Sequence, residues 1–364
     1  MNQQGNDMDN GNPGQAGNSE MVKSQGADAA AQQHDPSRGV PLTSDTVDLF
    51  RNIYKNIEKE FIAFTDYVHI DDRQKGVYSL RIAELILRTA AEIESLCKDI
   101  YATLGCDVGG GRFHYDDPCI KEFISRWDID KKIVEITHPF VRFSTRELIP
   151  FRDADKKTQG NPNANVWKKS YNDIKHNFRN NMGSANIGAF LEELAALYLL
   201  NIYAGMLVKC DSGFDRDAAS RLDCSFGSSL FAVKVSKILY AKSIGADGVL
   251  ISDGEYRPEV LCYAMPTEKS LRDIYNIMKA AEAEAWTSDV LTEALRDLCQ
   301  NGELKLPVEG GPLDAAAREK IMFKARFKAL NKCVNQFGKA VERMKYEMRL
   351  NSKELYREMT TKIQ

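Results

Sequence analysis

Apolar positions recur at alternating steps of three and four through the first half of the chain. Val47, Phe50, Tyr54, Ile57, Phe61, Phe64 and Val68 follow this rhythm, which puts them on one helical face behind a cap at Thr43 or Ser44. Ile82, Ile86, Ile93, Cys97, Ile100 and Leu104 mark a second helix from about Val77, with Gly105 as its stop. A short helix is expected around Lys121–Trp127. β-branched and aromatic clusters broken by Pro139 and Pro150 then predict one or two strands within 132–151. The polar loop 152–164 leads into a helix from about Ala164 to Asn180. Another, capped by Ser184, runs to Val208 and is apolar nearly all round, as the central helix of a bundle would be.

The rhythm changes after Asp223. Phe231, Val233 and Val235 alternate, Gly248–Ile251 and Val260–Ala264 look like strands, and Asp253-Gly254 offers a hairpin turn. A helix over Glu268–Cys299 and a Gly/Pro stretch at 309–312 follow. Leu330, Val334, Phe337, Val341, Met344, Met348, Leu355 and Met359 then approximate a heptad seam. The expected fold is mainly α: an antiparallel helical bundle, a small α+β region and a long C-terminal helix. The expected division is a disordered tail over 1–42, the bundle with a short β insertion over 43–209, the α+β region over 210–312 and a basic amphipathic helix over 313–364. Asn, Gln and Gly dominate the first forty residues, which hold too little apolar surface to offset chain entropy.

With 364 residues, 43% of them hydrophobic and 28% charged, the chain can build substantial cores. Its formal charge of −3 excludes a globally basic nucleic-acid binder, so such a role needs a local patch. No secretory signal is legible at the start, and Glu192, Glu193 and Asn201 interrupt the most apolar run. Both points predict a cytoplasmic protein that does not enter a membrane. The eight cysteines lack any C-x-x-C pair and read as reduced, buried residues. Cys106, His114 and Cys119 match no zinc spacing. Gly109–Arg112 lacks the context of a phosphate loop, and His69 and His138 read as structural. The segment 313–364 carries thirteen Lys and Arg against six Asp and Glu. Its methionine-bearing seam favours self-association or packing on the small sheet over nucleic-acid readout.

The helix at 164–180 holds the main candidate chemistry. Trp167, Tyr171, Ile174 and Phe178 form its apolar side. Asn165, Lys168, Lys169, Asn172, Lys175, His176 and Arg179 share an opposite arc of about 120°, with Asp173 just past its edge. Arg grips phosphate oxygens in a fork and Lys adds a mobile charge. An imidazole among cations tends toward its neutral form, which can take a proton from a ribose 2′-hydroxyl without a metal. A solvated helix face is the plainer account of the same residues.

The run Trp167-Lys-Lys-Ser-Tyr-Asn-Asp-Ile-Lys-His-Asn-Phe-Arg179 resembles the W-x3-YN-x-[IV]-KH-x2-R signature of bacterial proteins in the HEPN superfamily (higher eukaryotes and prokaryotes nucleotide-binding). The resemblance implies a helical bundle over 45–209 and RNA as partner. It also implies metal-independent endoribonuclease chemistry with no cofactor, in a defence or toxin–antitoxin setting with a cognate antitoxin. Active members commonly build their site across a homodimer. By position, His176 would be the acid/base and Asn172 would orient it or the substrate. Arg179 would complete the catalytic set, and Lys168, Lys169, Lys175 and Tyr171 would contact RNA. Tyr171 occupies the place of the family's motif arginine, with Arg179 or Lys169 as substitutes. That departure leaves open the alternative of an inactive scaffold or regulator acting through oligomerisation.

Overall fold

The computed structural model describes residues 39–106, 118–154, 166–208, 223–237, 239–241, 249–251, 256–306 and 311–355. Residues 1–38 of the tail expected over 1–42, the Gly109–Arg112 turn, His114, the junction 210–222, the Asp253-Gly254 turn and Met359 lie outside them; Leu42, at the tail's end, is buried. Residues 36–364 form one compact unit.

Helix α1 (Ser44–Phe64) begins where Thr43 accepts the Thr46 N–H at 3.3 Å while Thr46 Oγ1 accepts the Thr43 N–H at 2.7 Å. This reciprocal cap satisfies two otherwise orphaned donors. Strand β1 (Ile70–Asp71) and a 3-10 turn lead to α2 (Leu80–Thr103), capped by Ser79. Gly105 then turns the chain out at φ 72°, a conformation that favours glycine. Helix α3 (Pro118–Trp127) precedes β2 (Val134–Ile136), β3 (Val141–Arg142) and β4 (Glu147–Leu148). Helices α4 (Val166–Asn181) and α5 (Ile187–Val208) complete the bundle.

Helix α5 is buried along most of its length against α1, α2 and α4. Among the described residues it alone is long and apolar enough to cross a membrane, and its burial is that of a core helix. Its start differs from the expected Ser184 cap. Ser184 lies in a 3-10 turn, and Asn186 Oδ1 takes the Ala189 N–H at 3.0 Å.

The two strand-rich regions expected separately are joined. Strand β2 lies between β4 and β5 (Phe231–Val233), antiparallel to both. Glu58 of α1 secures that junction. Its Oε1 accepts from Tyr54 Oη at 2.8 Å, from the Ser229 and Leu230 N–H groups at 3.1 and 3.0 Å, and from Ser228 Oγ. After β6 (Val235–Lys237), β7 (Leu239–Ala241) and β8 (Val249–Ile251), strand β9 (Cys262–Pro266) pairs in parallel with β6.

The helix expected over 268–299 is two, α6 (Glu268–Ala285) and α7 (Ser288–Gln300), broken at Trp286-Thr287. The expected long C-terminal helix is likewise absent. Its residues form α8 (Ala315–Lys332), α9 (Val334–Glu342) and β10 (Tyr346–Leu350), the last antiparallel to β9. Met344, Tyr346, Met348 and Leu350 alternate with Lys345, Glu347 and Arg349, a period of two that a heptad reading overlooks. The tail therefore does pack on the small sheet, as a strand. Its basic excess has a local explanation. Lys328 pairs with Glu293 at 3.0 Å and with Asp297, Lys332 with Glu284 at 3.0 Å, and Arg326 with Glu282 at 3.4 Å. Ala281, Ala285, Ala294, Ala325 and Ala329 let the three helices approach closely.

Two stability predictions follow from the buried carboxylates. Replacing Glu58 by Ala takes the acceptor from the Ser229 N–H and from the Tyr54 and Ser228 hydroxyls, while the Leu230 N–H keeps Ser228 Oγ at 3.1 Å. The change should lower unfolding free energy by about 1–3 kcal/mol in urea titration. Glu193 is fully buried, neither of its oxygens has a partner among the described residues, and desolvation holds its pKa well above the usual range. The folded state thus retains a proton that the unfolded state releases, so stability falls as pH rises past the ordinary carboxylate range. Glu193→Gln should remove this decline, its stability advantage widening from about pH 5 to about pH 8. Parallel urea curves at both pH values would refute it.

Candidate functional site

Helix α4 is held by its apolar side. Trp167 donates Nε1–H to the Pro150 carbonyl at 2.7 Å and meets the Phe151 ring edge-on at 6.3 Å. Trp167 and Ile174 are only 2% and 1% exposed, and Ser170 is buried beside them. Tyr171 and Phe178 are half-buried against the same core. On the other side Lys169, Lys175, His176 and Arg179 are exposed, while Lys168 and Asn172 are half-buried. Asn165 lies outside the described residues.

Two details alter the expected stripe. The first is an acid. Asp173 accepts from Lys169 Nζ at 2.8 Å and from Ser184 Oγ at 3.0 Å. The bond from Lys169 is the largest cause holding the Asp173 carboxyl below its ordinary pKa. Lys169 therefore brings an already partnered charge to the surface.

The second is a break in the helix. Asn177 has φ −152° and ψ 71°, far from helical values. The carbonyl of Asp173 instead accepts from Asn181 Nδ2 at 2.9 Å. Rotation at 100° per residue no longer relates Arg179 to His176 across this break. What the helix itself brings together is Lys168, Lys169, Asn172, Lys175 and His176. Arg179 hangs from the next turn. The clustering of Asn177, Asn180 and Asn181, all poor helix formers, was the available sequence signal.

Tyr171, at the place where the resemblance expects an arginine, is not without a cation. The Lys175 ammonium lies over its ring, 5.1 Å from the centroid. Interaction with the Tyr171 hydroxyl raises the Lys175 pKa, keeping that charge in place. His176 has no hydrogen-bond partner among the described residues, so none of them fixes its ring orientation. The arrangement presents an ammonium and an imidazole side by side on an open surface. It can engage a phosphodiester electrostatically, but it does not enclose one. Among the described residues, no His, Cys, Asp and Glu are grouped to hold a metal ion.

No protein-family model matches this chain, and neither a curated protein nor a solved structure is similar to it.

The Trp of the signature is thus an anchor that sets how far α4 stands from the β4 end. Trp167→Phe should keep the ring packing but remove the Nε1–H bond to the Pro150 carbonyl. We expect a loss of about 1–2 kcal/mol by denaturant unfolding, and a variant as stable as wild type would contradict the anchoring role.

Proposed function

We propose that this is a HEPN-like protein that binds RNA through the exposed face of α4, in a cytoplasmic defence or toxin–antitoxin type setting. Lys175, Lys168 and Arg179 hold phosphate, and His176 with Asn172 faces the ribose. The single observation supporting this most is the exposed Lys175 stacked on Tyr171 one residue before exposed His176. In that reading a second copy supplies the opposing wall. His176 then takes the 2′-hydroxyl proton, the 2′-oxygen attacks phosphorus, and the 5′-oxygen leaves and is reprotonated. The products are a 2′,3′-cyclic phosphate and a 5′-hydroxyl end.

A second reading is favoured by a specific observation. Tyr171 stands where the resemblance expects an arginine and is itself half-buried in the core, and the His176 ring has no orienting partner among the described residues. Both suit a non-catalytic scaffold or regulator that acts through oligomerisation.

Incubating single-stranded RNA with the full chain in EDTA separates the two. The catalytic reading expects cyclic-phosphate ends, with His176→Ala slowing cleavage by about 10²-fold or more while leaving affinity nearly unchanged. Lys175→Ala should weaken binding about three- to tenfold and flatten its salt dependence. RNA left intact but bound in a Lys175-dependent way supports the scaffold. RNA neither bound nor cleaved sinks both RNA roles.

A further inference from the structure

Several exposed apolar side chains stand singly, such as Leu49, Tyr67 and Phe140 on separate elements, and need no explanation. A run along α8 and α9 is different. Phe323 and Phe327 are 71% and 55% exposed, and Val334, Phe337 and Val341 are 54%, 38% and 42% exposed. The exposed parts of these five side chains amount to roughly 450 Å². An apolar patch of that size is commonly a contact site.

The other side of α8 is already committed. Ala325 and Ala329 are fully buried, and α8 packs there on α6 and α7. At 100° per residue Phe323 and Phe327 each lie about 160° from Ala325, astride the outward direction. The two helices meet at the single residue Cys333. Its N–H bonds the Ala329 carbonyl at 3.3 Å and its carbonyl accepts the Phe337 N–H at 2.9 Å, so helix-type bonds span the join. The open face of α8 therefore leads into that of α9. Apolar residues step by four within α8 and by three and four within α9, the spacing of a seam between two helices.

Charges around the run choose among occupants. Along its flanks Lys324 and Arg326 are matched within the chain, by Glu303 at 4.0 Å and Glu282 at 3.4 Å. An acidic partner or an anionic lipid surface would find those cations already neutralised. The ends are different. Glu319 and Lys320 border Phe323, Glu342 and Arg343 border Val341, and none of the four has an ion-pair partner among the described residues. Each end thus carries one acid and one base, and the run is complementary to its own reverse.

We propose that the α8–α9 face is the contact with a second copy of this chain, the two copies lying head to tail about a twofold axis. Phe323 and Phe327 of one copy then pack on the Val341 end of the other. Lys320 of each copy reaches Glu342 of the other, so the symmetry makes this pair twice. A head-to-head pair would instead oppose Lys320 to Lys320 and Glu342 to Glu342, which repel. With its charged borders the face approaches the about 800 Å² that each partner gives to a standard interface. The contact uses no residue of α4 and does not rest on the RNA reading.

Sedimentation equilibrium of the full chain from about 1 to about 100 μM reads the association, and dimers are expected within that range. Phe323→Glu, at an exposed position, should weaken association about thirtyfold or more. Lys320→Glu and Glu342→Lys should each weaken it about three- to tenfold, and the double variant should return to within about twofold of wild type. If Phe323→Glu does not fold, the charge-reversal series still decides. A wild-type chain monomeric at about 100 μM overturns the proposal. Should Phe323→Glu also destabilise that monomer, the chain's own residues cover the face. Dimers that persist in Phe323→Glu overturn it as well, because the copies then meet elsewhere, α4 included. A double variant no tighter than the single ones overturns the head-to-tail arrangement.

Discussion

A helix without a polar face cannot be left at a surface, and Ile187–Val208 is such a helix. Phe190, Leu194, Leu197, Tyr198 and Leu200 leave little that water could wet. Every neighbouring element must therefore present it with an apolar side. The amphipathic stripes of α1 and α2 do so, and the ring of Tyr198 continues the contact to Phe231 on β5, 5.6 Å away between centroids. Hydrophobic burial of this extent is the main favourable term in folding. The two polar residues within α5 show how far that demand goes. Asn201 turns its amide back to the Leu197 carbonyl at 2.9 Å, and Glu193 is driven toward its neutral form.

The same demand gives α4 its orientation. Once Trp167 and Ile174 are committed to the core, helical geometry turns Lys168, Asn172, Lys175 and His176 outward. The exposed cluster is then partly a by-product of packing, whatever use is made of it. What packing does not require is the placement of Lys175 on Tyr171. An arginine at position 171 would have to carry its charge out past the core edge, whereas tyrosine stays in the edge and supports its neighbour's ammonium. The exchange keeps a cation at that spot but makes it a single-point contact. A phosphate held there loses the forked geometry that a guanidinium gives.

Legibility followed locality. The cap at Thr43, the stop at Gly105 and the buried faces of α1 and α2 depend on residues within a turn or two of one another, and each could be read directly; the cap at Ser79, two residues past the expected start at Val77, was not. Strand positions near Val134, Phe231, Val249 and Cys262 were legible, those of β1, β7 and β10 were not, and no partner could be read. Nothing near Val134 announces that Phe231–Val233 will lie beside it, because that pairing is set by Glu58 and the shared core. At Met344–Leu350 two periods fit the same apolar residues, and only the free edge of β9 decides between them. The α4 arc failed at Asn177 because helical arithmetic assumes an unbroken helix.

Charge distribution carries the argument one step further. The basic surplus of the last fifty residues is the most conspicuous cationic feature of the sequence, yet its Arg326, Lys328 and Lys332 face acids on α6 and α7. Exposed pairs of this kind add little stability individually, but they neutralise a surface that would otherwise attract polyanions. Among the described residues of α4 no carboxylate pairs with Lys175 or His176, since Asp173 is already shared by Lys169 and Ser184. Local neutralisation, more than local abundance, therefore separates the two regions. By that measure part of the charge on the basic tail is architecture, holding α8 to α6 and α7.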